Sequence, residues 1–216
     1  MSYARTVTED AAPDTGLRER KRLRTHRAIS DAAIRLFIER GFDEVSVAEV
    51  AAAAEVSKPT LFKYFPTKED LVVERFADHI DEQARVVSGR QPGQSAITAL
   101  REHFLARLAA HDATVGLDDR EHTLDFQRLF FANPSLLRRA QERGTSEATL
   151  AEALRTESGD ELAARVAAAQ IGAVTQLLVL DNLARILAGE RAADVYPDAV
   201  AAANRAFDLL AGGLGG

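Results

Sequence analysis

The stretch from Ser46 to Leu71, SVAEVAAAAEVSKPTLFKYFPTKEDL, constrains the fold of this chain more than any other. Ser46 precedes Glu49 at the spacing of a capping box, which predicts that a helix begins directly after the serine. Ser57 can cap a second helix whose first turn holds Pro59, where the missing N–H does no harm. The stretch therefore predicts two short helices in succession, separated by a tight turn.

The apolar spacing in the second of these helices divides it into two faces. Leu61 and Phe65 are one helical turn apart, so they share a face and are expected to pack inward. Pro66 closes the helix, and Thr67 with Asp70 is placed to cap the next one. A short helix, a tight turn and a second helix with an exposed polar and basic face together make a helix-turn-helix.

The run from Thr25 to Leu71 resembles the DNA-binding domain of the tetracycline-repressor (TetR) family. It includes the apolar first helix, the RGF turn, the SKPTLFKYF helix and the TKEDL that follows, and it covers about a fifth of the chain. The rest of the chain carries no comparable motif, although its C-terminal part is loosely similar to actinobacterial regulators of the mycofactocin-regulator type.

Composition bounds the class of protein. Of the 216 residues 46% are hydrophobic and only six are proline, which favours an all-helical fold of nine or ten helices. The sequence has no cysteine, which excludes disulfides and cysteine–metal sites and fits a reducing cytoplasm. There is no run of 18 apolar residues, so we expect no membrane partner and a cytoplasmic protein.

The net charge of −6 argues at first against a nucleic-acid partner, but its distribution reverses that reading. Residues 17–70 hold 11 Lys and Arg against 9 Asp and Glu, whereas residues 71–216 hold 15 against 21. The basic excess is concentrated in LRERKRLRTHR, which has six Lys and Arg and one Glu. A basic segment on an acidic body is expected of a DNA-binding head.

Three regions follow from these patterns. Residues 1–16 are polar and aperiodic and are expected to form a disordered tail. Residues 17–70 form a three-helix helix-turn-helix domain. A fourth helix from Lys68 to about Ser88 joins it to residues 71–216, a helical effector-binding and dimerisation domain.

Two long helices close the predicted body. Ser158 with Glu161 makes a second capping box for a helix that runs to about Ala188, and a last helix spans about Pro197 to Ala211. Both are rich in Ala, Leu and Val, and the first has few charges. They are candidates for a homodimer interface, and the TetR resemblance implies the same. An ordinary buried core helix would have this composition too.

The exposed face of the second short helix holds the candidate base contacts. Lys58 lies in the first turn, where a lysine suits guanine O6 and N7. Pro59 and the Thr60 methyl offer apolar contact to thymine. Lys63 can reach a base or a phosphate, and the Tyr64 hydroxyl can donate to phosphate. Taken singly, each of these side chains would be an ordinary solvated residue.

Flanking residues are the candidate backbone contacts. Ser46 and Lys68 begin the helices on either side, where free N–H groups help to hold an anion. The basic run, which includes Arg24 and Arg27, can act as an arm along the DNA backbone or in the minor groove, or it is simply solvated. The TetR resemblance assigns DNA contacts to the same positions of the helix-turn-helix.

Two residues depart from the TetR pattern. The family usually has tyrosine at the position of Phe62, so one phosphate-contacting hydroxyl is missing. It usually has glycine in the turn at the position of Glu55. If that residue is left-handed, a side chain there costs roughly 1–2 kcal/mol.

The middle helices are expected to enclose an effector pocket. Its candidate lining consists of four aromatic or aliphatic residues of the middle helices, two histidines, and three residues of the long helix. The nine are Phe104, Leu108, Phe126, Phe130, His103, His122, Gln170, Val174 and Leu177. The phenylalanines are equally well explained as plain core. The five histidines are widely spaced and indicate no metal site, and no cofactor is expected.

These patterns predict a dimeric DNA-binding transcriptional regulator, a repressor released from a palindromic operator by a small apolar or amphipathic effector. A helical carrier of an apolar ligand is the alternative. An enzyme with an incidental helix-turn-helix is disfavoured, because the sequence has no GxSxG, no phosphate-binding glycine loop, no HExxH and no cysteine nucleophile.

Overall fold

A computed structural model of the chain describes residues 15–76, 79, 81–142 and 147–213. Within these ranges the fold is all-α and contains no strand, as predicted. Eleven α-helices and two 3-10 turns, Glu74–Phe76 and Ala113–Val115, are found there. The helices are α1 Thr15–Arg40, α2 Val47–Ala53, α3 Lys58–Tyr64, α4 Asp70–Val73, α5 Glu82–Ser88, α6 Ala96–Ala109, α7 Glu121–Ala132, α8 Pro134–Glu142, α9 Glu147–Ser158, α10 Glu161–Leu187 and α11 Ala192–Gly212.

The predicted caps of the helix-turn-helix are confirmed. The Ser46 hydroxyl accepts from the Glu49 N–H at 3.2 Å, and the Ser46 N–H donates to the Glu49 carboxylate at 2.8 Å. Ser57 accepts from the Thr60 N–H at 3.2 Å and starts α3. Asp70 and Thr67 exchange hydrogen bonds before α4 in the same reciprocal way.

The inner face of α3 anchors the recognition helix to the head. Leu61 and Phe65 are fully buried, as their spacing predicted. The Phe65 ring lies 4.4 Å from the ring of His26 in α1. Phe37 at the end of α1 meets Phe42 after the Gly41 turn, with ring centroids 5.0 Å apart. These contacts leave the opposite face of α3 to solvent.

The prediction of one continuous fourth helix is wrong within the described residues. Asp70–Val73 is α-helical, Glu74–Phe76 tightens to a 3-10 turn, and α5 begins only at Glu82. Arg75 in the turn is paired with Asp31 of α1 at 3.0 Å. Apolar residues keep their helical spacing through this turn, so periodicity predicted an uninterrupted helix.

The apolar core of the head continues into the body. Three residues of the middle helices, Leu129, Phe130 and Leu136, are buried together with the core of α1 to α4. A second core joins α6, α9, α10 and α11, and the ring centroids of Phe104 and Phe207 lie 6.0 Å apart within it. Helices α7 and α8 therefore belong by packing to the head as much as to the body.

Two predicted helix starts in the C-terminal part are corrected. Helix α10 is capped by Asp160, whose side chain accepts from the Ala163 N–H at 3.1 Å, and Ser158 instead ends α9. Helix α11 begins at Ala192 rather than at Pro197, which lies inside it. The Ala192 N–H donates to the Asp119 carboxylate at 2.8 Å, so a distant acid sets this start.

The predicted tail falls mostly outside the described residues, which begin at residue 15, and Thr15 and Gly16 belong to α1. Helix α10 is long and apolar enough, by length and composition alone, to cross a membrane. That test is also met by core helices of water-soluble proteins, and in this fold α10 packs along α9 and α11.

Candidate nucleic-acid interface and junction cavity

The outward face of α3 carries the residues expected to read DNA. Lys58, Pro59 and Lys63 are exposed, and Thr60 and Tyr64 are half-buried. Ser57 caps α3 and leaves its first turn at the surface. This end of the helix is therefore accessible to a groove of DNA. The five side chains are brought together on one short helix.

Two of the predicted contacts already have intramolecular partners. The Thr60 hydroxyl lies 2.7 Å from the Ser57 hydroxyl, which leaves its methyl group as the free part of the side chain. The Lys58 ammonium sits 5.9 Å from the centroid of the exposed Phe62 ring, within the range of a cation–π contact. Phe62 stands at the position where the family usually has tyrosine. Its ring lies beside Lys58 and offers no hydroxyl.

Ser46 is committed to its cap. Its hydroxyl donates to the Glu49 carboxylate at 2.8 Å while accepting the Glu49 N–H. The hydrogen bond from the Ser46 N–H, together with those from Arg40 and the Ser46 hydroxyl, lowers the pKa of Glu49 to about 2. A phosphate would have to compete with the Glu49 carboxylate for the hydroxyl proton of Ser46. A phosphate contact by Ser46 stays a prediction.

Lys68 lies over the aromatic end of the head core. Its ammonium is 4.6 Å from the centroid of the Phe42 ring and 5.5 Å from that of Phe37. These contacts hold the lysine stem against the protein, while an ammonium on an aromatic face retains N–H donors for a phosphate.

The basic run is helical, and its role as an arm along the DNA stays a prediction. Helix α1 starts at Thr15, so Arg24 and Arg27 lie exposed on its surface. Glu19 pairs with Arg22 at 2.7 Å and offsets part of the positive charge. On an exposed helix these arginines are accessible, and a contact to a DNA backbone by them would depend on charge and not on sequence.

A cavity of about 820 Å³ opens between the head and the body. One wall is α1, the opposite wall is α7, and the floor is the 113–118 segment with part of α10. Its apolar lining includes Ile34 and Ile38 of α1, Phe126 and Phe130 of α7, and Val179 and Leu183 of α10. The cavity therefore touches the DNA-binding head and the body at once.

The floor of the cavity is held by close backbone packing. Gly116 has φ +72°, and a Cβ there would meet the Val179 carbonyl oxygen at 2.3 Å. The Asn182 side chain donates to the Val115 carbonyl at 2.9 Å. Only a glycine permits this approach, so the segment is fixed onto α10.

Asp118 is a buried acid at the edge of the floor. Burial alone would raise its pKa, but hydrogen bonds from Arg120 and Thr123 lower it to about 2. The Thr123 hydroxyl donates at 2.8 Å and Arg120 Nε at 2.8 Å. Asp118 is therefore an ionised carboxylate whose charge is balanced by Arg120.

Gln127 is the polar group that the cavity leaves unmatched. The side chain is 8% exposed, and its carbonyl oxygen Oε1 has no hydrogen-bond partner among the described residues. It lies on α7 between Phe126 and Phe130 in the cavity wall. A buried amide oxygen without a partner costs about 1–3 kcal/mol, so this group marks a place for a donor.

Three of the nine predicted pocket residues line this cavity: His122, Phe126 and Phe130. The other six do not, because the inner face of α6 and the sides of α10 are turned elsewhere. Phe104 and Leu108 are buried in the body core, and Val174 packs against it. Gln170 and Leu177 are exposed on α10.

The sixth, His103, belongs to a cluster around Glu82. His103 Nε2 and His79 Nδ1 each lie 3.0 Å from the Glu82 carboxylate, which also accepts from Arg107. Burial opposes ionisation of Glu82, and the hydrogen bonds from His79 and Arg107 nevertheless lower its pKa. His79 is thus paired, although its side chain is 40% exposed. In the part of the chain that the structure describes, no group of three or more His, Asp or Glu residues is arranged to hold a metal.

Sequence reasoning missed Ile34, Ile38 and Gln127 as cavity residues. The signal for the two isoleucines was present, since both belong to the wide apolar face of α1: Ile34 packs in the head core, and Ile38 extends that face toward the cavity. Gln127 gave no signal, because a glutamine in a surface-facing pattern is ordinary. Only its burial in the folded chain makes it informative.

The capped, exposed helix after a tight turn, on a three-helix head, defines a helix-turn-helix, a geometry that DNA-binding domains use. Residues 29–74 match the family model described as "Bacterial regulatory proteins, tetR family". Residues 29–74 are therefore similar to the corresponding segment of TetR-family regulators.

Named relatives agree with this assignment. The transcriptional regulator TcmR of Streptomyces glaucescens is 29% identical over 153 residues, 68% of this chain and 66% of TcmR. A protein of Mycobacterium tuberculosis named as the mycofactocin biosynthesis regulator MftR is 34% identical over 87 residues, 40% of this chain and 44% of MftR. The chain thus spans somewhat less than two thirds of TcmR and under half of MftR.

Solved structures share the fold. NalD, a repressor of a multidrug efflux pump in Pseudomonas aeruginosa, has a TM-score of 0.57 at 20% identity, covering 85% of this chain and 96% of NalD. A TetR regulator from Rhodococcus sp. RHA1 has a TM-score of 0.51 at 24% identity, covering 91% of this chain and all of that one. At these identities the likeness extends to the fold only.

Proposed function

We propose that the chain is a dimeric, cytoplasmic transcriptional repressor that binds double-stranded DNA through α3 and is released by a small effector. The observation that carries the proposal is the geometry of α3. Its inner face is locked into the head by Leu61 and Phe65, and its outer face presents Lys58, Lys63 and Tyr64. The names of the relatives, all regulators, support the same function.

Dimerisation is proposed through α10 and α11. Apolar side chains recur at helical spacing on the exposed side of α10: Leu162 and Val166 near its start, Leu177 and Leu180 near its end. Leu209 of α11 is exposed as well. A stripe of this kind on two adjacent long helices fits a second copy of the chain. Two recognition helices would then reach half-sites about 34–36 Å apart on a palindromic operator.

Binding to DNA is tested first by a salt titration. Fluorescence anisotropy with a labelled random-sequence duplex should show an association constant that falls steeply as salt rises, because lysines and arginines displace counterions. A protein that binds no DNA at low salt would exclude a regulator and favour the carrier alternative.

The roles of Lys58 and Tyr64 are distinguishable. Selection from a random duplex pool supplies the preferred sequence, against which single-base variants are measured. Lys58→Ala should relax the preference at one base pair by about 1–3 kcal/mol. Tyr64→Phe should weaken all sequences alike, because the lost hydroxyl donates to a phosphate.

The matched control for both is Arg138→Ala, which removes an exposed cation from α8, away from α3. This variant should keep both affinity and base preference. A Lys58→Ala protein with an unchanged base preference would remove α3 from its proposed place in the major groove.

A further inference from the structure

The cavity between α1 and α7 combines two features of a binding site. Its walls are largely apolar, and two large apolar side chains in them, Ile38 and Phe131, remain over a third exposed. Gln127 Oε1 is buried in the same wall without a partner among the described residues. An apolar cavity with an unsatisfied polar group in its wall matches the usual composition of a small-molecule site.

The charges of the cavity limit the class of ligand. Its lining holds four acids, Asp31, Glu39, Asp118 and Asp125, against three arginines, Arg35, Arg75 and Arg120. Asp31 pairs with Arg75 at 3.0 Å, Asp118 with Arg120 at 2.5 Å, and Asp125 with Arg128, outside the lining, at 3.1 Å. A ligand carboxylate would compete with these acids for their arginines. It would also face the carbonyl oxygen of Gln127, which repels an anion.

We propose that this junction cavity binds a neutral, largely apolar molecule with one O–H or N–H group that donates to Gln127 Oε1. The inference deepens the effector part of the proposed function, because it names the place and chemical class of the effector. Such a ligand contacts Ile34 and Ile38 of the head and Phe130 of the body together, so its binding favours one arrangement of α1 against α7.

The chemistry is tested with a matched pair of fluorescent probes, 1-naphthol and 1-methoxynaphthalene, which share a ring but differ in the donor. The wild-type protein should bind the naphthol about five- to tenfold more tightly, the difference expected for one hydrogen bond to a buried acceptor. The anion 1-naphthoate should bind more weakly than either.

Gln127→Leu assigns the preference to the acceptor. This variant removes an unsatisfied carbonyl while nearly conserving volume, so we expect it to fold at least as well as the wild type. It should bind the two neutral probes equally. The matched control is Gln170→Leu, at an exposed glutamine of α10, which should keep the preference for naphthol.

Ile38→Trp places the site. The larger side chain fills the cavity from the α1 wall and should weaken both neutral probes at least tenfold. Leu23→Trp, at an exposed leucine of the same helix outside the cavity, should change neither. The proposal would be overturned if neither the Gln127 nor the Ile38 substitution changed the affinity for the probes. It would also be overturned if the wild type did not bind naphthol.

The salt titration on DNA, run on the same preparations, separates the two levels of the argument. DNA binding that persists while naphthol fails to bind overturns the cavity assignment alone. A wild-type protein that does not bind DNA overturns the proposed function.

Discussion

Glu55 holds a backbone conformation that usually belongs to glycine. Its φ is +54°, as expected if the turn between α2 and α3 is left-handed. The residue ends the turn with hydrogen bonds from its own N–H to Ala52 and from the Val56 N–H to Ala51. The family's usual glycine would adopt this conformation without steric cost.

Glu55→Gly should therefore raise the free energy of unfolding by up to about 1 kcal/mol, measured by chemical denaturation. The control is Ala54→Gly next to it, where φ is −89°. That change should lower the free energy of unfolding by about 0.5–1 kcal/mol. Glycine relieves no strain at this φ, and it gives the unfolded chain more conformational entropy to lose on folding. A Glu55→Gly protein no more stable than the wild type would mean that strain at this turn is negligible.

At the scale of elements, the ion pair between α4 and α8 joins the head to the body. Asp70 is 1% exposed and accepts from Arg139 Nε at 2.9 Å and Nη2 at 3.1 Å. Burial opposes its ionisation, but the hydrogen bonds from Arg139 and Thr67 are stronger and lower its pKa. Asp70 thus both caps α4 and fixes α8 against it.

The lowered pKa of Asp70 predicts a pH-dependent contribution to stability. The folded protein binds the proton of this group more weakly than the unfolded chain does, whose ordinary pKa is 3.8. The contribution is therefore complete above that value and is lost as pH falls below it. Asp70→Asn should cost about 1–3 kcal/mol near pH 7 and progressively less in acid.

Denaturation of both proteins from pH 7 to pH 2.5 measures this difference. Asp43→Asn, at an exposed aspartate of the same head, is the control and should run parallel to the wild type. The difference in free energy of unfolding between the wild type and Asp70→Asn should shrink in acid. A difference that stays constant down to pH 2.5 would contradict a lowered pKa of Asp70.

At the scale of the whole molecule, the apolar stripe of α10 is the feature that a single copy leaves uncovered. Leu162 is 69% exposed and Leu177 is 59% exposed, although a helix of this length normally buries such residues. Leu177, expected from sequence to line the effector pocket, is on the outer side of the fold. Its position suits contact with a second copy.

Light scattering after size exclusion should give about twice the chain mass of 23.4 kDa for the wild type. Leu177→Glu should give a monomer, because a charge buried in an apolar interface costs several kcal/mol. Leu23→Glu, at a comparably exposed leucine of α1, should leave the dimer intact. A dimeric Leu177→Glu protein would exclude this face from the interface.

The head of this protein was largely predictable because its determinants are local. The Ser46–Glu49 and Ser57–Thr60 caps, the Leu61–Phe65 face and the Gly41 turn each act within four residues along the chain. Capping and helical periodicity operate at that range, so the sequence by itself determined the helix-turn-helix and the side of α3 that meets solvent.

The features that depend on distant partners follow from packing in the folded chain. Asp119 accepts the Ala192 N–H at the start of α11, 73 positions away, and Asp31 pairs with Arg75 of the 3-10 turn, 44 positions away. The cavity forms where α1 faces α7, so the sequence of either helix alone does not predict it. Gln127 is informative only because the folded chain buries its carbonyl oxygen away from water. Packing between segments far apart in sequence set these features, and no rule that acts along one helix can anticipate it.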